Sequence, residues 1–120
     1  MPDRLYIVVP CYQEQDALPE TARRLREKVR DLADRGVVSD DSRILFVNDG
    51  SADGTWKIIR ALHEQDPVFC GVSLTRNRGH QNALLAGLMT AKDRADMIIS
   101  MDADLQDDVG AVDEMIARYY

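Results

Sequence analysis

The chain has 120 residues, of which 45% are hydrophobic and 30% are charged, proportions typical of a single soluble globular domain. Its formal net charge of −6 argues against nucleic acid as a partner, because binding to a phosphate backbone depends on clustered Lys and Arg. The apolar runs are far shorter than the roughly 18 residues that a membrane span needs, so no span is expected in this chain.

The amino terminus and the cysteines bear on the cellular compartment. The opening residues lack the charge and length pattern of a secretory signal, so a cytoplasmic location is expected. Cys11 and Cys70 have the spacing of neither a disulfide framework nor a zinc site. We expect both to be inert thiols that pack as small hydrophobic side chains.

Strand and helix patterns alternate along the chain, beginning with a strand over residues 4–9 that ends at Pro10. A helix follows, and Gly36 is expected to terminate it. Its apolar stripe, at steps of four and three residues, consists of Leu18, Ala22, Leu25, Val29 and Leu32.

Three further strands are predicted over residues 43–47, 68–74 and 97–101, each followed by a helical pattern. The third helix is predicted over residues 82–92 and the fourth over residues 109–120. The leucines of the third helix that are expected in the core or against the sheet are Leu84, Leu85 and Leu88.

This order of elements predicts an α/β fold. Short connections between alternating strands and helices give right-handed crossovers, and hence a parallel, Rossmann-like sheet of about four strands with helices on both faces. No linker, repeat or low-complexity tract interrupts the chain, so one domain is expected over residues 1–120.

Unusual polar residues follow every predicted strand. Ligands of open parallel sheets bind outside the carboxyl ends of the strands, where helix N-termini also point, so one crevice could collect all of these residues. In chain order they are Tyr12 and Glu14, Asn48 and Asp49, Arg76 and Asn77, and Asp102 and Asp104.

The acidic stretch after the fourth strand suggests a metal site. If the chain stays extended, Asp102, Asp104 and Gln106 project to the same side and offer three oxygen donors. Mg²⁺ or Mn²⁺ prefers such donors and would neutralise the carboxylates. The alternative is a solvated acidic turn, and Asp107 and Asp108 are expected to act in that way, as caps of the last helix. His80 and Gln81 begin the third helix, where they could meet an anion, but they are expected to cap the helix instead.

Four motifs carry a resemblance to a known family: "VVPCYQE", "FVNDGSADGT", "TRNRGHQNALLAGL" and "MDADLQD". In this order and spacing they resemble the nucleotide-sugar half of family 2 glycosyltransferases with the GT-A fold. Within the family the chain is most similar to polyprenyl-phosphate glycosyltransferases of the dolichyl-phosphate mannose synthase and bacterial GtrB type. The resemblance covers essentially the whole chain.

The resemblance implies a nucleotide site. Pro10, Tyr12 and Glu14 would border the nucleotide, with the tyrosine ring beside the base and the carboxylate accepting from ribose hydroxyls. Asp49 would accept the ring N–H of uracil or guanine, and Arg76 would lie near the pocket. The alternatives are a loop anchor for Tyr12, a helix-dipole charge for Glu14, an Asx turn or N-cap for Asp49, and a salt bridge for Arg76.

It also implies a metal-assisted reaction. Asp102, Asp104 and Gln106 would hold Mg²⁺ or Mn²⁺ against the diphosphate, with Ala103 beside the substrate and Asp104 as the catalytic group. The enzyme would transfer a hexose, with inversion, from a UDP-sugar or less favourably a GDP-sugar to a lipid-linked phosphate. Such an acceptor is already ionised and needs positioning more than deprotonation.

Two other functions stay open: transfer to a saccharide hydroxyl, which would need a general base, and non-catalytic nucleotide-sugar binding. A response-regulator receiver is disfavoured because no acid pair follows the first strand.

Family members continue into an acceptor half, so we expect the chain to be the amino-terminal portion of a longer enzyme. That enzyme would work at the cytoplasmic face of the membrane, and the portion, with apolar surface uncovered, is expected to self-associate.

Overall fold

The computed structural model describes residues 3–103 and 111–119, which form one parallel sheet with helices on both faces. The strands are β1 (Leu5–Cys11), β2 (Arg43–Asn48), β3 (Phe69–Ser73) and β4 (Met97–Ser100). They stand in the order β3-β2-β1-β4, and all three pairings are parallel. The helices are α1 (Leu18–Asp34), α2 (Thr55–Gln65), α3 (His80–Ala91) and α4 (Ala111–Tyr119). The predicted α/β class is confirmed.

Strand β1 is longer than predicted, because Pro10 lies inside it rather than at its end. Pro10 pairs with Val47 of β2, and the pairing continues to Cys11. On the other side, β4 pairs with β1 only as far as Val8, whose carbonyl accepts the Met101 N–H at 3.0 Å. Val8 and Pro10 are two residues apart, so their backbone groups face the same neighbouring strand, β4. Because β4 ends before it reaches Pro10, the N–H that proline lacks would have had no partner strand there.

The two faces of the sheet carry separate apolar clusters. Leu5, Ile7 and Val9 of β1 pack with residues of α1, α2 and α4, whereas Tyr6 and Val8 pack with α3. All five predicted stripe residues of α1 are buried, which confirms that stripe. Because helices cover both faces, every position of β1 is buried, and the strand is apolar without alternation.

Helix α3 contacts the sheet through small residues, namely Ala83, Gly87 and Ala91. A Cβ at Gly87 would lie only 2.4 Å from Val8 Cγ1 and 2.9 Å from Val47 Cγ2, so the helix backbone lies directly on the strands. The expectation that Leu85 covers the sheet is therefore wrong, since this side chain is 55% exposed. Within the described residues, no helix combines the length and the apolar character needed to cross a membrane.

Candidate functional site

A cleft of about 260 Å³ opens at the carboxyl ends of the strands. It lies where the loops after β1, β2, β3 and β4 meet, as the fold class requires of a ligand site. The predicted site residues that line it are Pro10, Tyr12, Glu14, Asp49, Asp102 and Ala103. The structure therefore brings together residues that are up to 93 positions apart in the sequence, from Pro10 to Ala103. Their individual roles stay predictions.

Three other predicted site residues do not appear in this lining. Asp104 and Gln106 lie outside the described residues, as do Asp107 and Asp108. Arg76 is exposed and does not line the cleft, and no ion pair of its guanidinium occurs within the described residues. Among residues 3–103 and 111–119, no group of three or more His, Cys, Asp or Glu side chains is placed to hold a metal ion.

Asp49 forms part of the cleft wall and also holds the loop after β3. Its side chain is almost fully buried. Oδ1 accepts the Arg78 N–H at 2.7 Å and Oδ2 accepts the Gly79 N–H at 3.1 Å. Each carboxylate oxygen has a second lone pair, so these bonds leave acceptor capacity for a ligand. These bonds reach the loop after β3 and are neither the Asx turn nor the N-cap that was the alternative for Asp49, and the base-binding role stays a prediction.

Asn48 and Gly50, on either side of Asp49, fix the same corner. The Asn48 amide donates to Ser73 Oγ at 3.0 Å and accepts the Ser51 N–H at 3.3 Å, two bonds that use both ends of the amide. Gly50 has φ +65°, and a Cβ there would lie 2.2 Å from the Arg76 carbonyl carbon. The loop after β3 therefore rests on Gly50, and a side chain at this position would displace it.

The loop after β1 is bound to the loop after β2 by two glutamines that the sequence did not mark as site residues. Gln13 Oε1 accepts the N–H groups of Ala52 and Asp53 at 2.9 and 3.2 Å, and Gln15 Oε1 accepts the Gly54 N–H at 2.7 Å. Gln13 also has φ 57°, uncommon for a residue other than glycine. Glutamine has no pattern that signals this conformation, so the contact could not be found from sequence.

Tyr12 and Glu14 flank this glutamine on the cleft side. The Tyr12 side chain is 48% exposed, which leaves ring surface open to a ligand and disfavours the alternative of a packed loop anchor. Glu14 is half-buried, and its backbone N–H donates to Thr55 Oγ1 at 2.9 Å. Both residues are therefore presented by a loop whose backbone is held in place.

Cys11 lies in the cleft wall as a buried thiol, an environment that is unfavourable for a nucleophile. Burial, and to a smaller extent the negative charge of Glu14, raises the pKa of the Cys11 thiol to about 12. Its Sγ donates to the Val9 carbonyl at 3.3 Å. A thiol in this state stays protonated at neutral pH, and only the thiolate reacts.

His80 also lines the cleft, at the first position of α3. The expectation that His80 and Gln81 cap this helix is wrong, because Gly79 occupies the N-cap position and no side chain caps it. Gly79 has φ +92°, and its N–H is bound by Asp49 and by Asn77 Oδ1. His80 itself is exposed at the cleft.

The sequence profile described as "Glycosyl transferase family 2" matches residues 6–120. The chain belongs to glycosyltransferase family 2. The resemblance seen in the four motifs is thereby confirmed at the level of the family. The match covers every helix and strand except Leu5, the first residue of β1, and it includes the residues that line the cleft.

Two curated relatives of this family 2 chain illustrate its place in the family. "Uncharacterized glycosyltransferase YkoT" of Bacillus subtilis strain 168 is 46% identical over 97% of the chain. "Prophage bactoprenol glucosyl transferase homolog" of Escherichia coli strain K12 is 37% identical over 97% of the chain. The chain spans 34% and 35% of the length of these two proteins.

Among solved structures, the family 2 chain is similar to "Mannosyltransferase PcManGT from Pyrobaculum calidifontis in complex with GDP-Man and Mn2+". The two share 24% identity with a TM-score of 0.69, over 87% of this chain and 28% of the other. This likeness confirms the GT-A type of fold.

Proposed function

We propose that the cleft binds a nucleotide-diphospho-sugar, with a UDP-sugar favoured over a GDP-sugar, for transfer of its hexose to a polyprenyl phosphate with inversion. One observation carries the proposal: an exposed aromatic ring, a buried carboxylate and an exposed carboxylate meet in one cleft at the carboxyl ends of a family 2 sheet. These are Tyr12, Asp49 and Asp102. The aromatic ring suits a nucleobase, the buried carboxylate can accept from a base N–H, and the exposed carboxylate offers an oxygen donor to a metal ion.

Mg²⁺ or Mn²⁺ is the proposed cofactor, and Asp102 is the one of its three proposed ligands that lies within the described residues. Asp102 is exposed at the cleft and supplies a hard oxygen donor, the type both ions prefer. Asp102, Asp104 and Gln106 would hold the ion. When bound, it would neutralise the charge that develops on the leaving nucleoside diphosphate. The mannosyltransferase of similar fold contains Mn²⁺ together with its GDP-mannose.

The acceptor is inferred from the relatives. The E. coli relative carries bactoprenol, a polyprenol, in its name. A polyprenyl phosphate is an ionised nucleophile, so transfer to it needs orientation rather than a general base. Location at the cytoplasmic face of the cell envelope membrane and self-association stay predictions.

Calorimetric titration with UDP, UDP-glucose and GDP-mannose, each with and without Mn²⁺, tests donor binding. We expect binding only in the presence of the metal, and tighter binding of the uridine nucleotides. Asp102→Asn should weaken metal-dependent binding by at least tenfold, since it removes a metal-binding charge. The matched control is Asp93→Asn, the same charge change at an exposed residue in the turn after α3.

Absence of binding to every nucleotide, with either Mn²⁺ or Mg²⁺, would refute the proposed donor site. Equal effects of Asp102→Asn and Asp93→Asn would exclude Asp102 from it. If donor binding is found, incubation with UDP-glucose and a short-chain polyprenyl phosphate separates an enzyme from a binding module. Glycolipid formation is the result expected for the enzyme, and metal-dependent binding without product would indicate the module.

A further inference from the structure

A threonine of α1 holds the backbone of the acidic segment. Thr21 lies in the first turn of α1 and is only 2% exposed. Its hydroxyl donates to the carbonyl oxygen of Ala103 at 2.5 Å, across 82 positions of sequence. Ala103 is itself 4% exposed and stands between Asp102 and Asp104.

This bond lies where the sheet no longer holds the chain. The last backbone bond of the β4 side joins the Met101 N–H to the Val8 carbonyl at 3.0 Å. Beyond it, among the residues that the structure describes, residues 102–103 form no other hydrogen bond than the one from Thr21. Both neighbours of Asp102 in the chain are therefore held by hydrogen bonds: Met101 by the sheet and Ala103 by the Thr21 hydroxyl.

The Thr21 hydroxyl is not used within its own helix. Threonine in a helix commonly returns its hydroxyl to the carbonyl four residues earlier. Here the Ala17 carbonyl accepts the Thr21 backbone N–H at 3.1 Å, and the hydroxyl bonds to Ala103. Removing the hydroxyl would leave a buried carbonyl without this donor, and a buried unpaired carbonyl is unfavourable, so the segment would shift to find another.

We propose that Thr21 is a positioning residue, which sets the backbone direction at Ala103 and thereby orients the Asp102 carboxylate toward the metal and the diphosphate. This inference rests on the proposed function. Residues that orient metal ligands without touching the metal typically affect metal affinity by about 10-fold to 100-fold. Thr21→Val keeps the shape of the side chain and removes only the donor, so it should weaken Mn²⁺-dependent UDP binding by about tenfold or more.

The test compares three variants of the chain with wild type, by calorimetry with Mn²⁺ and UDP and by urea unfolding. Thr21→Ser keeps the hydroxyl and should retain wild-type affinity. Ser42→Ala is the matched control, because Ser42 is also buried and its Oγ accepts the Leu5 N–H at 2.9 Å at the opposite end of β1. It should lower the urea midpoint and leave affinity unchanged.

Thr21→Val with wild-type affinity would overturn the inference, as would an equal loss of affinity in Ser42→Ala, which would indicate general destabilisation. If Thr21→Val fails to fold, Thr21→Ser still decides, since a tenfold loss of affinity in that folded variant would contradict a role for the hydroxyl. These outcomes presuppose wild-type binding. Wild type that binds no nucleotide refutes the proposed function itself and the inference with it.

Discussion

Helices α1 and α3 cover opposite faces of the same sheet by different means. Helix α1 buries a stripe of long side chains, among them Leu18, Leu25 and Leu32. Helix α3 buries Ala83, Gly87 and Ala91 and turns Leu85 and Met89 outward. In α1, large side chains fill the space between helix and sheet, whereas in α3 the backbone itself fills it. Hydrophobicity alone therefore identifies the buried face of α1, whereas in α3 it correctly predicts that Leu84 packs against the sheet and wrongly predicts the same for Leu85.

The largest loss of stability is expected for a substitution in the buried stripe of α1. Leu25→Ala removes a fully buried side chain, and the cavity that it leaves should lower the free energy of unfolding by about 2–5 kcal/mol. Urea unfolding followed by circular dichroism measures this change. A loss below about 0.5 kcal/mol, the range usual for surface positions, would show that α1 is not packed on the sheet as described.

Gly87→Ala is expected to lower the free energy of unfolding by a smaller amount, although helix propensity alone predicts that it would raise it. Glycine is about 1 kcal/mol less favourable than alanine inside a helix, so Gly87→Ala would stabilise an open position. Here the added methyl group meets the stiff side chains of Val8 and Val47, and overpacking of this kind should destabilise by about 1–3 kcal/mol. The same urea experiment decides, and a stabilised variant would contradict the close approach of α3.

The smallest effect is expected at Leu85. Leu85→Ala exchanges the same residue types as Leu25→Ala, but on an exposed surface, so the free energy of unfolding should change by less than about 0.5 kcal/mol. Because both variants replace leucine by alanine, the difference between their free energies of unfolding reports the effect of burial alone. A cost comparable to that of Leu25→Ala would mean that Leu85 packs against protein, in this chain or in a second copy.

Much of the fold follows from the sequence, because strand and helix periodicity and the carboxyl-end rule are local or general. They locate β1, the stripe of α1 and the cleft residues Tyr12, Glu14, Asp49 and Asp102. The contacts that join distant loops are not predictable in this way. Gln13 bonds to the β2 loop and Thr21 bonds to Ala103, although nothing near either residue in the chain encodes its partner.

The hydrogen bonds that join the loops around the cleft affect the conformational entropy that is lost when a ligand binds. Gln13 joins the β1 loop to the β2 loop, Asp49 joins the β2 corner to the loop after β3, and that loop rests on Gly50. A pocket whose walls are already fastened to each other loses little conformational entropy when it is filled. Conversely, a substitution in any of the three loops should alter the other two, so the ligand preference of the cleft would change through concerted rather than single replacements.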